Sequence, residues 1–376
     1  MVYLNNAATS WPKAPGVAEA VRQALETPAV EPGRGGARGP DPVRVCREGL
    51  ARLLGVPDPA RIVFTASATA SLNAALEGLR LAPGSLVVTT AAEHNSVLRP
   101  LERLRRKCGV TVEIVPLTPD GELDEEMLDR VVERGPRLVA ITHASNVTGR
   151  VYPVARWFAK ARAAGALTLL DASQSLGYAG VRPLQLGADL VAFTGHKGLL
   201  GPAGTGGLWV SPGLELGHWM VGGTGTRSDL VSHPEEMPAR MEAGTPNLPG
   251  LAGLAAAVGW LERHGEGWRA GARRMEEALR GELGALRGVR ILGGGGPERA
   301  AALSFRIAGW SVEEAGHALE ASFGVACRAG LHCAPLIHRW IGSAPEGTIR
   351  FSVSGFTTPE DVRAAAAAVR ELARCA

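Results

Sequence analysis

The residue whose setting most suggests chemistry is Lys197, in the glycine-rich stretch FTGHKGLLGPAGTGG. Only four of the 40 basic residues are lysines, so a lysine in a tight turn rather than on a helix face is unusual here. Glycine permits close backbone approach to a ligand, and a partly desolvated lysine is a better imine-forming nucleophile. A Walker phosphate loop is excluded because Gly198 follows the lysine where that motif needs Ser or Thr. Taken alone, Lys197 fits a nucleophile and a structural turn lysine equally.

Asp171 lies 26 residues before Lys197, at the end of the apolar run LTLLD. An acidic side chain at the end of a strand can keep a pyridine nitrogen protonated. An imine-forming lysine with an aspartate partner for a pyridinium nitrogen is the protein's half of pyridoxal phosphate chemistry. Alone, Asp171 would be interpreted as a helix cap or a turn residue. The pair predicts a site for pyridoxal 5'-phosphate.

A cofactor with a phosphate also needs donors at a helix N-terminus. The stretch TASATASLN, residues 65–73, has hydroxyl and small side chains where a predicted strand gives way to a helix, and Thr69 is the best candidate. His94, in AEHNSV after the next predicted strand, is placed to stack on a cofactor ring. Each feature is also typical of an ordinary cap, so the prediction depends on their occurring together.

The loop RAGLHCAP, residues 328–335, contains Cys333 between a glycine turn and a proline. A reactive cysteine must be accessible as a thiolate, which suits a loop better than a core. From the loop alone, Cys333 is either a reactive thiol or a small apolar filler. The neighbouring His332 is either a group that favours the thiolate or a solvated loop residue.

These residues need a scaffold that brings them together. From about residue 60 to 210, short β-branched runs alternate with amphipathic stretches, which predicts a mostly parallel sheet covered by helices on both faces. Such sheets bind ligands beyond the carboxyl ends of their strands. Polar candidates follow the predicted strands at those ends: Thr69, His94, Asn146, Asp171 and the TGHK of 194–197.

After residue 250 the sequence pattern changes. A long helical region over about 250–286 precedes several shorter β-branched runs. The predicted strands lie near 288–292, 301–307, 324–327 and 348–354. Thr358 before Pro359 predicts the N-terminus of a last helix. These elements predict a second, smaller α+β domain.

Composition limits the classes of function. Lys plus Arg (40) against Asp plus Glu (37) gives a net charge of +3, too balanced for a nucleic-acid-binding surface. The N-terminus lacks a signal segment, and the helix candidate at 250–261 is too short and too rich in Gly and Ala to span a membrane. Five cysteines without regular spacing argue against a disulfide framework and a CxxC metal site. We therefore expect a cytoplasmic protein that binds neither nucleic acid, membrane nor metal.

Over almost its whole length the sequence resembles the fold-type I, class V aminotransferase-like family, and specifically its cysteine desulfurases. The shared motifs occur in the family's order: YLNNAATSWPK, AEHNSVLRPL, SNVTGR, LLDASQS, FTGHKGLLGPAGTG, EAGTPN and RAGLHCAP. The last motif resembles the SUF-associated group, which also includes selenocysteine lyases. The resemblance implies an α/β fold with a seven-stranded, mostly parallel sheet in a large domain, residues 26–264. Residues 265–376 would form the smaller α+β domain, and residues 1–25 would pack against it.

The resemblance implies roles in binding pyridoxal 5'-phosphate. Lys197 would join the cofactor covalently and later move the proton at the substrate's Cα, and Asp171 would hold the pyridinium nitrogen. Gln174 would bond the ring's phenolic oxygen, and His94 would stack on the ring. The phosphate contacts would come from the predicted helix start in TASATASLN and from the TGHK turn: Ala68, Thr69, Thr194 and His196. Thr245 would reach the phosphate of the other subunit, which implies a homodimer with shared active sites.

The resemblance also implies the reaction. Asn146, Arg350 and Arg34 would bind L-cysteine, with Arg350 holding the carboxylate. Cys333 would take the sulfur as a persulfide, L-alanine would leave, and an acceptor protein would receive the sulfur, as in iron–sulfur cluster assembly. The sequence departs from the family at Ala37, where a histidine is usual, and at Thr357, where an asparagine is common.

Two alternatives stay open. A selenocysteine lyase, or another lyase or aminotransferase of the family, would use the same Lys197 and Asp171 without needing Cys333. A non-catalytic sulfur-transfer scaffold would keep only the fold, and the presence of both Lys197 and Cys333 argues against it.

Overall fold

A computed structural model describes residues 1–27, 41–225, 227, 229–293, 296 and 298–375. The strands of these residues are, in chain order, β1 (Val2–Tyr3), β2 (Ile62–Thr65), β3 (Leu86–Thr90), β4 (Thr111–Val115), β5 (Leu138–Thr142), β6 (Leu167–Asp171), β7 (Leu190–Thr194), β8 (Gly206–Val210), β9 (Val289–Leu292), β10 (Ala302–Ile307), β11 (Val325–Ala326), β12 (Arg328–Gly330) and β13 (Thr348–Ser352). The α-helices are α1 (Val17–Glu26), α2 (Pro42–Leu54), α3 (Ala68–Gly78), α4 (Asn95–Cys108), α5 (Glu125–Val132), α6 (Val154–Ala163), α7 (Pro183–Leu186), α8 (Leu248–Gly284), α9 (Val312–Phe323), α10 (Ile337–Trp340) and α11 (Pro359–Arg374).

Seven strands form the large sheet, in the order β2-β8-β7-β6-β5-β3-β4. The pairs from β4 to β7 are parallel, and β8 runs antiparallel to both of its neighbours. The predicted mostly parallel seven-stranded sheet is confirmed. Because β2 runs in the direction of β7, six of the seven strands end at the same edge, which is where a ligand site of this fold class lies.

Both faces of the large sheet are covered. Successive residues of β5 point to opposite faces, so Val139 and Ile141 join one buried apolar cluster while Leu138 and Ala140 join the other. The strand is buried along its whole length, as expected for a parallel strand between two layers of helices. Such a sheet is a rigid base for loops at its carboxyl edge.

A second sheet of four antiparallel strands, in the order β12-β13-β10-β9, lies in the C-terminal part of the chain. The strand predicted near 324–327 is interrupted at Cys327, because β11 pairs with β1 and β12 pairs with β13. The predicted cap of the last helix is present: the Thr358 hydroxyl accepts a hydrogen bond from the Asp361 amide.

The long helix α8 links the two sheets. It spans 37 residues, and the predicted domain boundary between residues 264 and 265 lies in its interior. The division of the chain into domains stays a prediction. Among the helices of the described residues, none combines the length and apolar character needed to cross a membrane.

Candidate active site

A cavity lies at the carboxyl edge of the large sheet. Its volume is about 470 Å³, which includes the solvent-filled space at its opening. Nine predicted site residues line it, from five separate strand ends or the turns after them. They are Ala68, Thr69, His94, Asn146, Asp171, Gln174, Thr194, His196 and Lys197. The edge of the sheet therefore brings together residues that are up to 129 positions apart in the sequence.

The turn after β7 fixes Lys197. A Cβ on Gly198 would lie 2.3 Å from the Leu176 carbonyl oxygen, so only glycine fits after the lysine. The Lys197 side chain is partly exposed, toward the cavity that it lines. Removal of water by the surrounding protein lowers the pKa of Lys197 to about 8, although the nearby Asp171 carboxylate opposes the shift. A larger fraction of neutral amine is therefore present near neutral pH than for an ordinary lysine.

Asp171 is the last residue of β6, and only 3% of it is exposed. Its Oδ1 accepts hydrogen bonds from the amide and the hydroxyl of Ser173. Ser173 was not identified from the sequence, although the spacing Asp-x-Ser is typical of an Asx turn. Gln174 also lines the cavity, and its Nε2 donates to the Ala7 carbonyl at 2.9 Å. The N-terminal segment is thus tied to this side of the cavity.

Two helices begin at the cavity. Ser67 caps α3, and Thr69 lies in its first turn with its hydroxyl 2.7 Å from that of Ser96. His94 caps α4, where its Nδ1 accepts a hydrogen bond from the Ser96 amide at 3.0 Å. Burial lowers the pKa of His94 to about 4, so its ring is neutral at physiological pH. Ser67 and Ser96 were not predicted as site residues, although small hydroxyl residues at the start of a helix usually indicate a cap.

His196 and Thr194 complete this part of the cavity. The His196 carbonyl accepts hydrogen bonds from the Ser10 amide at 2.9 Å and from Lys13 Nζ at 3.1 Å, while its Nδ1 is buried without a protein partner in the described chain. Burial lowers the pKa of His196 to about 4. The Thr194 hydroxyl donates to the Thr205 carbonyl at 3.3 Å. His196 Nδ1 is a polar atom whose hydrogen bond is left to a ligand or to water.

Arg350 is 1% exposed and differs from the other buried arginines. Arg47 pairs with Glu242 and Arg150 pairs with Glu122, but no carboxylate of the described residues lies within ion-pair distance of Arg350. Its Nη1 donates to the Asn146 carbonyl at 2.8 Å, its Nη2 donates to Asn5 Oδ1 at 3.2 Å, and its Nε is without a partner there. Burial lowers the pKa of Arg350 to about 9. The charge of this guanidinium is available to an anionic ligand.

The loop that contains Cys333 is held at several points. The Cys333 carbonyl accepts a hydrogen bond from the Asn95 amide at 2.8 Å, and the His332 carbonyl accepts one from Asn146 Nδ2 at 2.6 Å. His332 and Cys333 have φ of 51° and 60°, in the left-handed region that non-glycine residues rarely occupy. Arg328 Nη2 lies 3.3 Å from Cys333 Sγ. The thiol is therefore partly exposed, fixed in place and next to a cation.

His332 does not supply that cation. The residue is 2% exposed, and its Nε2 lies 2.8 Å from the Thr348 hydroxyl. Burial, together with the nearby Arg350 and Arg328, lowers the pKa of His332 well below its ordinary value, so the ring is neutral. Arg328 was part of the RAGLHCAP motif but was not recognised from the sequence as the neighbour of the thiol.

Some predicted residues do not line the cavity. Cys333 and Arg350 are two of them, although Asn146, which does line it, contacts both Arg350 and the His332 carbonyl. Thr245 is exposed in the segment before α8 and is absent from the lining of the cavity in its own chain. Arg34 and Ala37 lie outside the described residues. Thr357 forms a turn before α11, where its hydroxyl accepts a hydrogen bond from the Ser354 amide at 2.9 Å.

Comparison with known proteins identifies the family. The model of the aminotransferase class-V family matches residues 2–364. A probable cysteine desulfurase of Methanothermobacter thermautotrophicus is 33% identical over 99% of this chain and 94% of its own length, and one of Pseudomonas putida is 34% identical over 87% and 82%.

Solved structures of cysteine desulfurases share the fold. The apo structure from Thermococcus onnurineus NA1 has a TM-score of 0.90 and 28% identity, and it covers 100% of this chain and 95% of that one. The S-sulfonic acid form of an Escherichia coli cysteine desulfurase has a TM-score of 0.88, 29% identity and the same coverage. The architecture is that of fold-type I enzymes, and the chain belongs to the aminotransferase class-V family.

Proposed function

We propose that the cavity binds pyridoxal 5'-phosphate and that the enzyme converts L-cysteine to L-alanine, with the sulfur passing to Cys333. The observation that supports this most is that Lys197, with a lowered pKa, and the buried Asp171 line one cavity, to which the loop of Cys333 is joined by the hydrogen bond from Asn146 to the His332 carbonyl.

The residues present fit the cofactor. The start of α3 offers amide donors and the Thr69 hydroxyl for a phosphate, and the unpartnered His196 Nδ1 adds a further polar contact. Asp171 would bond the pyridinium nitrogen, Gln174 the phenolic oxygen, and the neutral His94 ring would lie against the cofactor ring. Lys197 would attach the cofactor covalently. When bound, pyridoxal phosphate supplies an electron sink for the bonds at the substrate's Cα.

Arg350 would hold the substrate carboxylate. A buried guanidinium without an internal carboxylate gains most from a bidentate anionic ligand. Asn5 and Asn146 accept from two of its nitrogens and so keep the plane of the group in one orientation. Lys197, whose amine is partly neutral at physiological pH, would take the proton from the substrate's Cα onto Nζ and return it to the three-carbon fragment.

Cys333 would receive the sulfur as its thiolate. Arg328 Nη2, 3.3 Å from Sγ, would pair with the attacking thiolate, and the hydrogen-bonded loop keeps Sγ in position. Sγ attacks the substrate sulfur, an S–S bond forms, and the C–S bond breaks. The electron pair of the C–S bond stays on the three-carbon fragment, which gains a proton and leaves as L-alanine. Cys333 then holds a persulfide, and no external oxidant or reductant is needed.

Other expectations are part of the proposal. Thr245 is exposed, which is compatible with a contact to the phosphate of a second subunit in a homodimer. The persulfide sulfur would go to an acceptor protein, with iron–sulfur cluster assembly as one destination. Five free cysteines without a disulfide fit the reducing conditions of the cytoplasm.

The test is to incubate the purified protein with pyridoxal phosphate and L-cysteine. We expect alanine, a cofactor fixed to the Lys197 peptide after borohydride reduction, and a Cys333 peptide heavier by one sulfur atom. Cys333→Ala is expected to lose alanine formation from L-cysteine. A protein that takes up no pyridoxal phosphate would eliminate the cofactor proposal. Cys333→Ala with full activity on L-selenocysteine and wild-type protein inactive on L-cysteine would favour a selenocysteine lyase.

A further inference from the structure

A groove lies beside the loop that contains Cys333. Its lining comes from α4, from the edge strand β4, and from Pro335 and Leu336, two and three residues after the thiol. We call it the α4–β4 groove. Leu98, Val112, Ile114 and Leu336 make part of this lining apolar, and Ile114 is 41% exposed. An exposed apolar strip next to a reactive loop is a usual place for a protein contact.

The helix of this groove is strongly basic. α4 contains five basic side chains and one acidic side chain, Glu102, so the helix has a net charge of +4 against +3 for the whole chain. Arg99 has no ion-pair partner among the described residues, and the pairs of Arg105 and Arg106 with Glu102 are exposed. Exposed ion pairs contribute little to stability, so carboxylates of a partner can compete for these arginines.

An acceptor has to take the sulfur from Cys333 where the thiol lies, next to the α4–β4 groove. Hydrogen bonds from Asn95 and Asn146 hold the backbone of the loop, and the left-handed conformation of His332 and Cys333 fixes it further. A thiol clamped in this way does not travel to a distant acceptor, so the acceptor must dock next to it. Asn95, whose amide holds the Cys333 carbonyl, is itself part of the groove lining.

We propose that the α4–β4 groove docks an acidic protein with a free thiol, which takes the sulfur from Cys333. The proposal rests on the proposed function. In the transfer, the acceptor thiolate attacks the outer sulfur of the Cys333 persulfide. The S–S bond at Cys333 breaks, its electron pair stays on Sγ as a thiolate, and the acceptor then holds the persulfide. The arginines of α4 attract the partner's carboxylates and thereby speed its approach.

Three synthetic peptides with one central cysteine and Glu-rich, Lys-rich or Ser-rich flanks are suitable probes. The holoenzyme is given one equivalent of L-cysteine, and transfer of sulfur to each peptide is followed by mass spectrometry. We expect the Glu-rich peptide to be at least about tenfold faster than the Lys-rich one at low salt, with the difference shrinking as salt screens the charges. Arg99→Glu with Arg106→Glu is expected to reverse the order while leaving the first turnover of alanine unchanged.

Binding is measured separately, with a fluorescent Glu-rich peptide that has serine in place of cysteine. The control variant is Arg363→Glu with Arg370→Glu on α11, which makes the same change in charge on a different helix. Loss of binding only in the α4 variant supports the groove. Equal loss in both variants, or no preference for the acidic peptide, would overturn the docking proposal. If the wild-type enzyme forms no Cys333 persulfide, the proposed function fails, and the binding measurement still decides the docking surface.

Discussion

The two sheets contribute groups of opposite electrostatic character to the candidate active site. At the edge of the large sheet, burial lowers the pKa values of His94 and His196 to about 4 and that of Lys197 to about 8, and the carboxylate of Asp171 lies among them. At the small sheet, Arg328 and Arg350 lie opposite each other in the register of β12 and β13, and the described residues place no carboxylate in an ion pair with either.

The difference indicates a division of labour. Burial at the large sheet lowers the pKa values of its basic groups, which leaves neutral rings and a partly neutral amine, as the proposed cofactor binding and proton transfer require. The small sheet keeps permanent positive charge next to a thiol, which suits groups that are anionic when they react. Burial lowers the pKa of the Arg350 guanidinium as well, but only to about 9, so Arg350 stays charged at neutral pH, whereas the buried histidines do not. The choice of residue type thus sets which side holds charge.

The largest loss of activity is expected from substitution of Lys197, at the edge of the large sheet. In the proposed mechanism, Lys197→Ala removes both the covalent attachment of the cofactor and the group that moves the Cα proton. We expect alanine formation from L-cysteine to fall by at least about 10³-fold, and borohydride to fix no cofactor to the protein. Lys160→Ala is the control, because Lys160 pairs with Asp129 at the surface. A Lys197→Ala enzyme with a borohydride-stable adduct on another residue would contradict the assignment.

The next largest effect is expected from the buried charge of the small sheet. Arg350→Met is expected to raise KM for L-cysteine by about 100-fold, with a smaller change in kcat, because in the proposed binding mode the substrate carboxylate loses its bidentate partner. Arg350→Lys is expected to cost about tenfold, since one ammonium replaces a planar pair of donors.

Arg47→Lys provides the matched control. Arg47 is also buried, but its charge is neutralised within the chain by Glu242. We expect this variant to lower the melting temperature and leave KM unchanged. If Arg350→Met and Arg47→Lys both changed only the melting temperature, Arg350 would be a structural arginine and the contrast between the sheets would fail.

Variants of Arg328 and His332 test which of the two residues affects the reactivity of Cys333. Arg328→Gln is expected to slow alkylation of Cys333 by iodoacetamide about tenfold at pH 7, because the thiolate loses the charge at 3.3 Å. His332→Asn is expected to leave the pH dependence of alkylation unchanged, because its neutral ring contacts Thr348 instead. The Cys333 peptide is followed by mass spectrometry, and Arg328→Lys should restore part of the rate. If His332→Asn slowed alkylation and Arg328→Gln did not, the cation next to Cys333 would be His332.

The sequence was sufficient for the large sheet and for most of the cavity, because both follow from local patterns. Alternating strands and helices fix a shared carboxyl edge, so Thr69, His94, Asp171 and Lys197 were expected to meet there. The neighbours of Cys333 were harder to predict. The contact with Arg328 depends on a left-handed turn, and the contact with Asn95 joins residues 238 positions apart.

The state of His332 shows the same limit of sequence reasoning. Its position next to Cys333 in the chain left both an influence on the thiol and a solvated loop residue possible. Its neutrality follows from burial against Thr348, a residue of β13. The break at Cys327 likewise depends on which strands β11 and β12 pair with, and local periodicity does not contain that information.

The smallest effects concern two buried groups beneath the large-sheet edge, Glu93 and His143, which do not line the cavity. Burial lowers the pKa of His143 from 6.5 to about 4, so the unfolded chain binds a proton that the folded chain does not, and stability falls as pH drops from 6.5 to 4. Burial raises the pKa of Glu93 from 4.5 to about 8, so the folded chain keeps a proton that the unfolded chain releases, and stability falls as pH rises from 4.5 to 8.

The two residues therefore have opposite and separable signatures in the free energy of unfolding. His143→Asn should reduce the loss of stability on the acid side, and Glu93→Gln should reduce the loss on the neutral side, each by about 1–2 kcal/mol. Glu93→Gln keeps an oxygen that can accept from the Thr90 hydroxyl and the Thr142 amide, so packing is preserved. Urea unfolding at pH 5 and pH 7.5 measures both effects. If neither variant alters the pH profile, the pKa values of His143 and Glu93 are not shifted by burial. The contrast between the two sheets would then lose its physical basis, because burial would not suppress charge at the edge of the large sheet.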